Sequence, residues 1–459
     1  MTAPGYYRDL GLAMQVNKQL EFHIAQQDTD LHSMRCRSCA RSRTTGSLNF
    51  IAADPLAFVA KLLAIALTLY ALVAAPVSSA QLRSDFDLGA QWTVNSTARL
   101  MAGMPPLHPA HIEFAQTDAW KEHAAAMRSA WGKVAEGRVA AMTAWRDSAI
   151  SPNCPVNKTL LYPFSGPDFL NAWWLFPDCD TFVMFGLEHI GEVPNLEAMN
   201  ERQIRNMIAD VRTATTDLFD RNYFITENMA RQLRTANLRG VVPIIMISMA
   251  LSGVDILRLR PLDIATGPRP AEATGRTLRQ LRGVTIEFRT AGGTAVKRLH
   301  YFTVDATNSS LARYPEFLEL IRKLGPTTTF IKSASYLLHG REFSQLRTAL
   351  LQVSGFLVQD DSGLPYAMLA TRGWQVHLHG RYDVPIPPFE RAYQSALYRA
   401  YSEQRPEPLP FTFGYQFHDY RDERSNVMVA LRPSPTKRAA IEERIGKRVA
   451  LRTSGWLAH

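Results

Sequence analysis

The stretch from Lys158 to Glu188 constrains the fold of this chain more than any other. Lys158 to Ser165 (KTLLYPFS) is an apolar run without polar alternation, broken by Gly166-Pro167-Asp168. Phe169 to Phe176 (FLNAWWLF) has helical character, and Thr181 to Glu188 (TFVMFGLE) is a second apolar run. Strand, turn, short helix and strand make a βαβ unit, and strands without alternation belong in a sheet covered on both faces. Cys154 stands four residues before the first strand and Cys179 two before the second. Parallel neighbours start at the same end of a sheet about 5 Å apart, and a disulfide needs Cα atoms roughly 4.4–6.8 Å apart. The spacing predicts a Cys154–Cys179 bridge.

The pattern continues to both sides of that unit. His108 to Ile150 reads as helix, with Trp120, Trp131 and Trp145 on one face. Packing on a core is the plain reading of those rings, and a carbohydrate-stacking platform is the sharper one. A helical stretch runs from Leu196 to about Asn237, and Gly240–Ser252 is an apolar helix with an internal Pro243, too short to span a membrane. Strands are expected at Asp255–Ile264 and, as a hairpin around Gly292-Gly293, at Val284–Arg289 and Arg298–Asp305, with a Pro/Gly loop at Thr266–Gly275. Tyr314–Leu324, Phe343–Ser354 and Phe389–Tyr401 read as helices. Thr328–Tyr336, Gly355–Gln359, Trp374–Tyr382 and a final pair, Phe411–Phe417 with Asn426–Leu431, read as strands. This alternation predicts an α/β fold: a mostly parallel Rossmann-like sheet with antiparallel additions and an N-terminal helical layer.

Location is written in another segment. Leu62 to Ala75 (LLAIALTLYALVAA) follows Lys61, breaks at Pro76 and ends in Ser78-Ser79-Ala80. A positive residue, an apolar core and small residues before a cleavage point describe a secretory signal. An uncleaved single-pass anchor through 58–80 is the alternative, and the arginines of Arg35–Arg43 place its C-terminal side outside the cytoplasm as well. The organisation expected is a disordered or wrongly included extension at 1–54 and a signal peptide or anchor at 55–80 with cleavage near Ala80. A helical region at 81–150, an α/β domain at 151–433 and a basic amphipathic tail at 434–459 follow. The protein is then periplasmic or secreted, or a membrane protein with its C-terminal domain outside. Cys36 and Cys39 have C-x-x-C spacing without a second pair nearby, so zinc is not expected.

The net charge of +9 is concentrated at the ends. Pro435–His459 carries six basic and two acidic residues, which leaves a near-neutral body with no basic face. Nucleic-acid binding needs clustered cations and is not expected. No cofactor and no partner protein is implied.

Tyr162-Pro-Phe-Ser-Gly-Pro-Asp-Phe169 with Phe185-Gly-Leu-Glu188, and Lys332-Ser-Ala-Ser-Tyr-Leu337 with Gln359-Asp-Asp-Ser-Gly363, resemble signatures of an exported bacterial family to which no activity is attached. The resemblance covers most of the chain beyond Gln81. The first stretch is also similar in layout to the opening of a Rossmann-like nucleotide domain: strand, glycine turn, helix, and an acid closing the next strand. Gly166 and Glu188 are 22 positions apart, near the ~20 at which such an acid holds a ribose. The G-x-G-x-x-G glycines are absent, and Pro167 falls where amides face phosphate. Class I methyltransferases use looser glycine patterns and a strand order that suits this one, but their methyl donor is lacking outside the cytoplasm.

Sites in such sheets form beyond the carboxyl ends of strands. The groups expected there are Ser165 and Asp168, then Glu188, then Lys332, Ser333, Ser335 and His339, then Asp360 and Asp361. A serine, a histidine and an acid permit a hydrolase triad, although Ser165 is not in a G-x-S-x-G elbow. Lys332 with Asp361 as a structural ion pair, and both Asp-containing turns as plain turn formers, are the competing reading. His377 and His379 share a strand face but lack a third ligand marked by spacing, so no metal is expected. Three functions follow: a non-enzymatic binding or envelope protein, an extracytoplasmic Ser/His/Asp hydrolase, or a transferase with a degenerate nucleotide site at Gly166 and Glu188.

Overall fold

A computed structural model describes residues 88–150, 154–221, 238–263, 282–415 and 425–433. The apolar segment at 55–80, Cys36 and Cys39, the 266–275 loop and the tail at 434–459 lie outside the described residues.

Ahead of the sheet come α1 (Leu88–Met101), α2 (Pro109–Phe114) and α3 (Asp118–Val134). The last runs through a π turn at Ala135–Val139 into α4 (Ala140–Ala149). Thr117 caps α3 by accepting the Trp120 amide at 3.3 Å, the usual work of a hydroxyl at a helix start. The βαβ unit follows as β1 (Thr159–Pro163), α5 (Phe169–Leu175) and β2 (Thr181–Gly186). Next are α6 (Glu201–Arg221), α7 (Val242–Leu251), β3 (Val254–Asp263), β4 (Arg282–Thr290) and β5 (Lys297–Thr303). The second half contains α8 (Asn308–Arg313), α9 (Pro315–Lys323), β6 (Thr327–Ile331), α10 (Ser344–Val353) and β7 (Ser354–Gln359). It closes with α11 (Tyr366–Thr371), β8 (Gln375–Gly380), α12 (Ser395–Gln404) and β9 (Asn426–Leu431).

The nine strands form one sheet in the order β3-β4-β5-β2-β1-β6-β7-β9-β8. β5, β2, β1, β6 and β7 are mutually parallel, while β3–β4–β5 and β7–β9–β8 are antiparallel additions. Both faces are covered, which is why the central strands carry no polar alternation. Leu160 and Tyr162 of β1, with Phe182 and Met184 of β2, join the core under the N-terminal helices, α5, α6 and α7. Leu161, Val183 and Phe185 point to the other face, under α8, α9, α10 and α11. Helix α7 is buried almost from end to end, and no helix of the described residues is long and apolar enough to cross a membrane.

Several expectations need correction. Thr328–Tyr336 is not one strand: β6 stops at Ile331. Phe389–Tyr401 is a 3-10 turn at Pro387–Ala392, then α12. β9 lies between β7 and β8, and the described part of its expected partner, 411–415, forms no strand. Trp120 and Trp145 are buried, so they cannot form an open stacking platform. Helix α1 falls in the helical region expected at 81–150, whereas α8 and α11 carry no periodic signal strong enough to have been expected.

Cys154 and Cys179 are bridged, with Cα atoms 5.3 Å apart, beside the starts of β1 and β2. Thr159 pairs with Thr181 in the parallel register that brings the two together. Closing a loop of 25 residues restrains the unfolded chain by about 3 kcal/mol. Cys154→Ala/Cys179→Ala should therefore unfold at lower denaturant by that order, with unchanged far-ultraviolet dichroism. An unchanged midpoint would mean the bridge does not form in the protein.

Candidate functional site

The five parallel strands send their carboxyl ends to one edge, and the chain progresses in opposite directions on either side of β1 and β6. β2 and β5 lie to one side and β6 and β7 to the other. Such a switch point leaves a crevice where ligands of doubly wound sheets bind. Ser165 and Asp168 follow β1, Glu188 follows β2, Lys332 to Tyr336 follow β6, and Asp360 to Ser362 follow β7.

Asp168 is the centre of the first group. Its Oδ2 lies 2.8 Å from Lys332 Nζ, and both side chains are almost wholly buried. Tyr162 donates to the same oxygen at 2.8 Å. Asn171 donates its amide nitrogen to Oδ1 at 2.8 Å and its backbone N–H to Oδ1 at 3.1 Å, so Asp168 also caps α5. Burial pushes the Lys332 ammonium down, and Asp168 pulls it back up. The sequence reading paired Lys332 with Asp361; the structure pairs it with Asp168 instead.

The second group explains why β6 ends early. Beyond Ile331 the backbone N–H groups are met by side chains of the β7 turn rather than by a neighbouring strand. Ser333 N donates to Asp360 Oδ2 at 2.8 Å and Ala334 N to Ser362 Oγ at 2.7 Å. Ser333, Ser335 and Tyr336 all adopt left-handed backbone, with φ of 52°, 50° and 54°. Phe164, at the end of β1, joins them at 56°. Non-glycine residues held there cost of order 1–3 kcal/mol each, so the surrounding contacts must over-determine this turn. Tyr336 donates to Asp361 Oδ2. Asp361 also takes the Asn426 side-chain N–H at 2.9 Å and returns its own N–H to Asn426 Oδ1 at 2.8 Å. Tyr415 donates to the Ser333 carbonyl at 2.7 Å and so accepts from Ser335 Oγ at 2.8 Å. Gly414, at φ +67°, passes so close to Asp360 that any side chain there would strike the carboxylate.

Asp168 and Asp360 thus act on the buried Lys332 ammonium, and Asp361 acts on Asp360. Burial, with the charge of Asp361 behind it, pushes Asp360 up to about 7 against hydrogen bonds from Ser362 and Ser333. Burial also raises Asp361, with Tyr336 and Asn426 holding it back.

The remaining candidates separate. Ser165 Oγ donates to the Gly166 carbonyl at 3.0 Å. His339 bonds the Gly363 backbone, and burial pushes it down to about 4. Its Nε2 is buried without a partner, as is Ser333 Oγ. No serine of the set is hydrogen-bonded to His339 among the described residues, so the expected Ser/His/Asp arrangement is not assembled. Gly166 has left-handed backbone at φ 50°. Glu188 folds over Gly186, where a Cβ would collide with its carboxylate. It is anchored by Tyr301, whose hydroxyl lies 3.3 Å from Oε2, and by Thr303, which donates to its carbonyl at 2.7 Å. His377 is exposed and His379 packs edge-on against Trp145 at 5.2 Å. No cluster of three or more metal-ligating side chains occurs among the described residues.

Sequence reasoning found the acids, the lysine and the serines but not their partners Tyr162, Asn171, Ser362, Tyr415 and Asn426. Tyr162 reads as one more apolar strand residue, and Asn426 as a strand start. Only the register of β7 against β9, which sets Gln359 opposite Met428, brings Asn426 within reach of Asp361.

Lys332→Met leaves Asp168 buried without its cation and should cost about 3–5 kcal/mol, whereas Lys332→Met with Asp168→Asn should recover part of that loss. Urea titration of the three proteins reads both. The pH dependence follows from Asp360. Unfolded, it loses its proton near 3.8; folded, it keeps it to about 7. Stability contributed by this group is therefore present below about pH 4 and is lost as pH rises to about 7. Asp360→Asn should flatten that decline, by on the order of a few kcal/mol between pH 5 and 8; equal slopes for the two proteins would contradict the assignment. Comparison with family models, curated proteins and solved structures gave no match, so function rests on this geometry.

Proposed function

We propose that the chain is an extracytoplasmic, non-enzymatic binding or envelope-associated protein built on a doubly wound sheet whose strand-end crevice is filled by its own side chains. One observation carries the reading. The groups that would serve a cofactor or substrate are turned on each other: Lys332 on Asp168, Tyr336 and Asn426 on Asp361, and Ser333 and Ser362 on Asp360. An enzyme's nucleophile needs an adjacent base, and neither Ser165 nor Ser335 has one in its hydrogen bonds. The Cys154–Cys179 bridge supports an oxidising compartment. The apolar segment Leu62–Ala75 supports export, followed by cleavage near Ala80 or retention as an anchor.

A transferase with a nucleotide-type site is the second reading, and the β1–β2 corner favours it. Gly166 in left-handed backbone, Gly186 without room for a side chain, and Glu188 anchored by Tyr301 and Thr303 lie where a ribose would be held. The order β5-β2-β1-β6-β7-β9-β8, with β9 reversed, suits class I methyltransferases.

Thermal unfolding with S-adenosylmethionine, NAD or ATP separates the two. A ligand at 100 times its dissociation constant stabilises by about 2.7 kcal/mol. The first reading predicts no shift with any of the three, and no labelling by a fluorophosphonate probe. A shift abolished by Glu188→Ala would replace it with the second, and labelling lost in Ser165→Ala, Ser333→Ala or Ser335→Ala would restore the hydrolase.

A further inference from the structure

The first three helices are tied to one another by two buried histidines. α1 ends at Met101, and Gly103, at φ +71°, turns the chain so close to α3 that a side chain there would strike Ala124 and Met127. His123 of α3 completes this corner, its Nε2 donating to the Met101 carbonyl at 2.8 Å. His111 of α2 makes the second tie, with Nδ1 2.9 Å from Ser96 Oγ of α1. Both rings are closed to water, His111 at 2% exposure and His123 at 0%. Leu100, Trp120, Ala124 and Met127 pack into the core beside them.

Hydrogen bonding holds both rings neutral. Ser96 Oγ accepts the backbone N–H groups of Leu107 and His108 at 3.0 and 2.9 Å, which uses both lone pairs. Its own proton therefore goes to His111 Nδ1, and His111 carries its proton on Nε2, which is buried without a partner. A second proton would have to sit on Nδ1, facing a hydroxyl that has no lone pair left for it. His123 has the opposite tautomer problem: Nε2–H is spent on Met101, and Nδ1 is a buried lone pair with no donor or acceptor against it. A proton added there is a buried charge without a hydrogen-bond acceptor, among the costliest groups a fold can hold.

The charged neighbours leave that cost in place. Burial pushes His123 down to about 4 against its bond to Met101, and Arg212 of α6 adds to the push. Burial also lowers His111, His108 opposes its charge, and only the exposed Glu197, on the 3-10 turn at Leu196–Ala198, favours it. The unfolded chain takes up these protons near 6.5, so stability from both rings is present above that value and is lost as pH falls through it. The sheet responds differently. His300, His339 and His379 are lowered by burial as well, but all three keep some exposure to solvent. Asp360 works in the opposite direction and stabilises the strand ends as pH falls.

We propose that acidification releases the N-terminal helical layer while the sheet stays folded, with His111 and His123 as the trigger. Protonation of buried histidine is the general basis of such switches, since its charge change lies nearest neutral pH. Release breaks the ties at Ser96 and Met101 and uncovers Leu100, Trp120 and Met127.

The test is hydrogen exchange of the full chain, read segment by segment across the acid range, with protection corrected for the intrinsic exchange rate. Between its ordinary 6.5 and about 4 in the folded chain, His123 alone should cost α1 and α3 about 20-fold in protection from about pH 7 to pH 5. β1 and β6 should keep theirs. His123→Gln keeps a donor for Met101 and His111→Asn keeps an acceptor for Ser96, and neither new side chain titrates. The double variant should hold its protection at pH 5. Should that variant not fold at neutral pH, the pH series of the unaltered protein still decides. Unchanged protection of α1 and α3 in acid overturns the proposal, as does a loss shared equally by β1 and β6. The same loss in a folded double variant overturns it too.

Discussion

The Lys332–Asp168 ion pair is the contact on which the rest of the strand-end structure depends. It joins the end of β6 to the cap of α5 across the switch point, where a doubly wound sheet otherwise leaves a crevice. Taking two charges out of water costs several kcal/mol per ion unless the remaining hydrogen bonds are made. Here they are made: Tyr162 and Asn171 complete the carboxylate, and Asp168 in turn starts the helix that packs Phe169 and Trp173 onto Phe182 and Phe288. One polar pair thus couples the turn after β6 to the aromatic core beneath α5.

The same edge stores backbone strain. Three of the four residues from Ser333 to Tyr336 lie in left-handed conformation, and Phe164 faces the same demand after β1. Strain of this kind persists where the surroundings impose it and is concentrated in natural proteins at functional positions. What imposes it here is a ring of side chains from distant segments, Asp360 and Ser362, Tyr415, and Asn426, each using its hydrogen bonds on the turn or on its neighbours. Burial, with the charge of Asp361 beside it, holds Asp360 protonated to about neutrality against the hydrogen bonds of Ser362 and Ser333.

Much of the fold was legible because the signals were local. Unalternating strands, the glycine turn at 166 and the two cysteines gave the βαβ unit and its bridge directly, and the hairpin at Gly292-Gly293 appeared as β4 and β5. What was not legible is non-local. Thr328–Tyr336 looks like strand throughout, because nothing in those residues announces that Asp360 and Ser362 take over their N–H groups. On sequence Lys332 was matched with Asp361, and only the packing of α5 brings Asp168 to it instead. The strand pairing of β9 was likewise hidden, since its apolar run fits any neighbour. In the helical layer, tryptophans at whole-turn spacing could not be separated into buried Trp120 and Trp145 and part-buried Trp131.

Amide hydrogen exchange at the strand-end turn tests the central claim most directly. Loops that admit ligands are drawn from the least stable parts of a protein, whereas core elements exchange only through global unfolding. If the side-chain network closes the crevice as a structural unit, the N–H groups of Ser333, Ala334, Asp361 and Ser362 should exchange as slowly as those of β1 and β6. Exchange at these four amides by fast local opening, with β1 and β6 still protected, would contradict the account and mark the crevice as a working site.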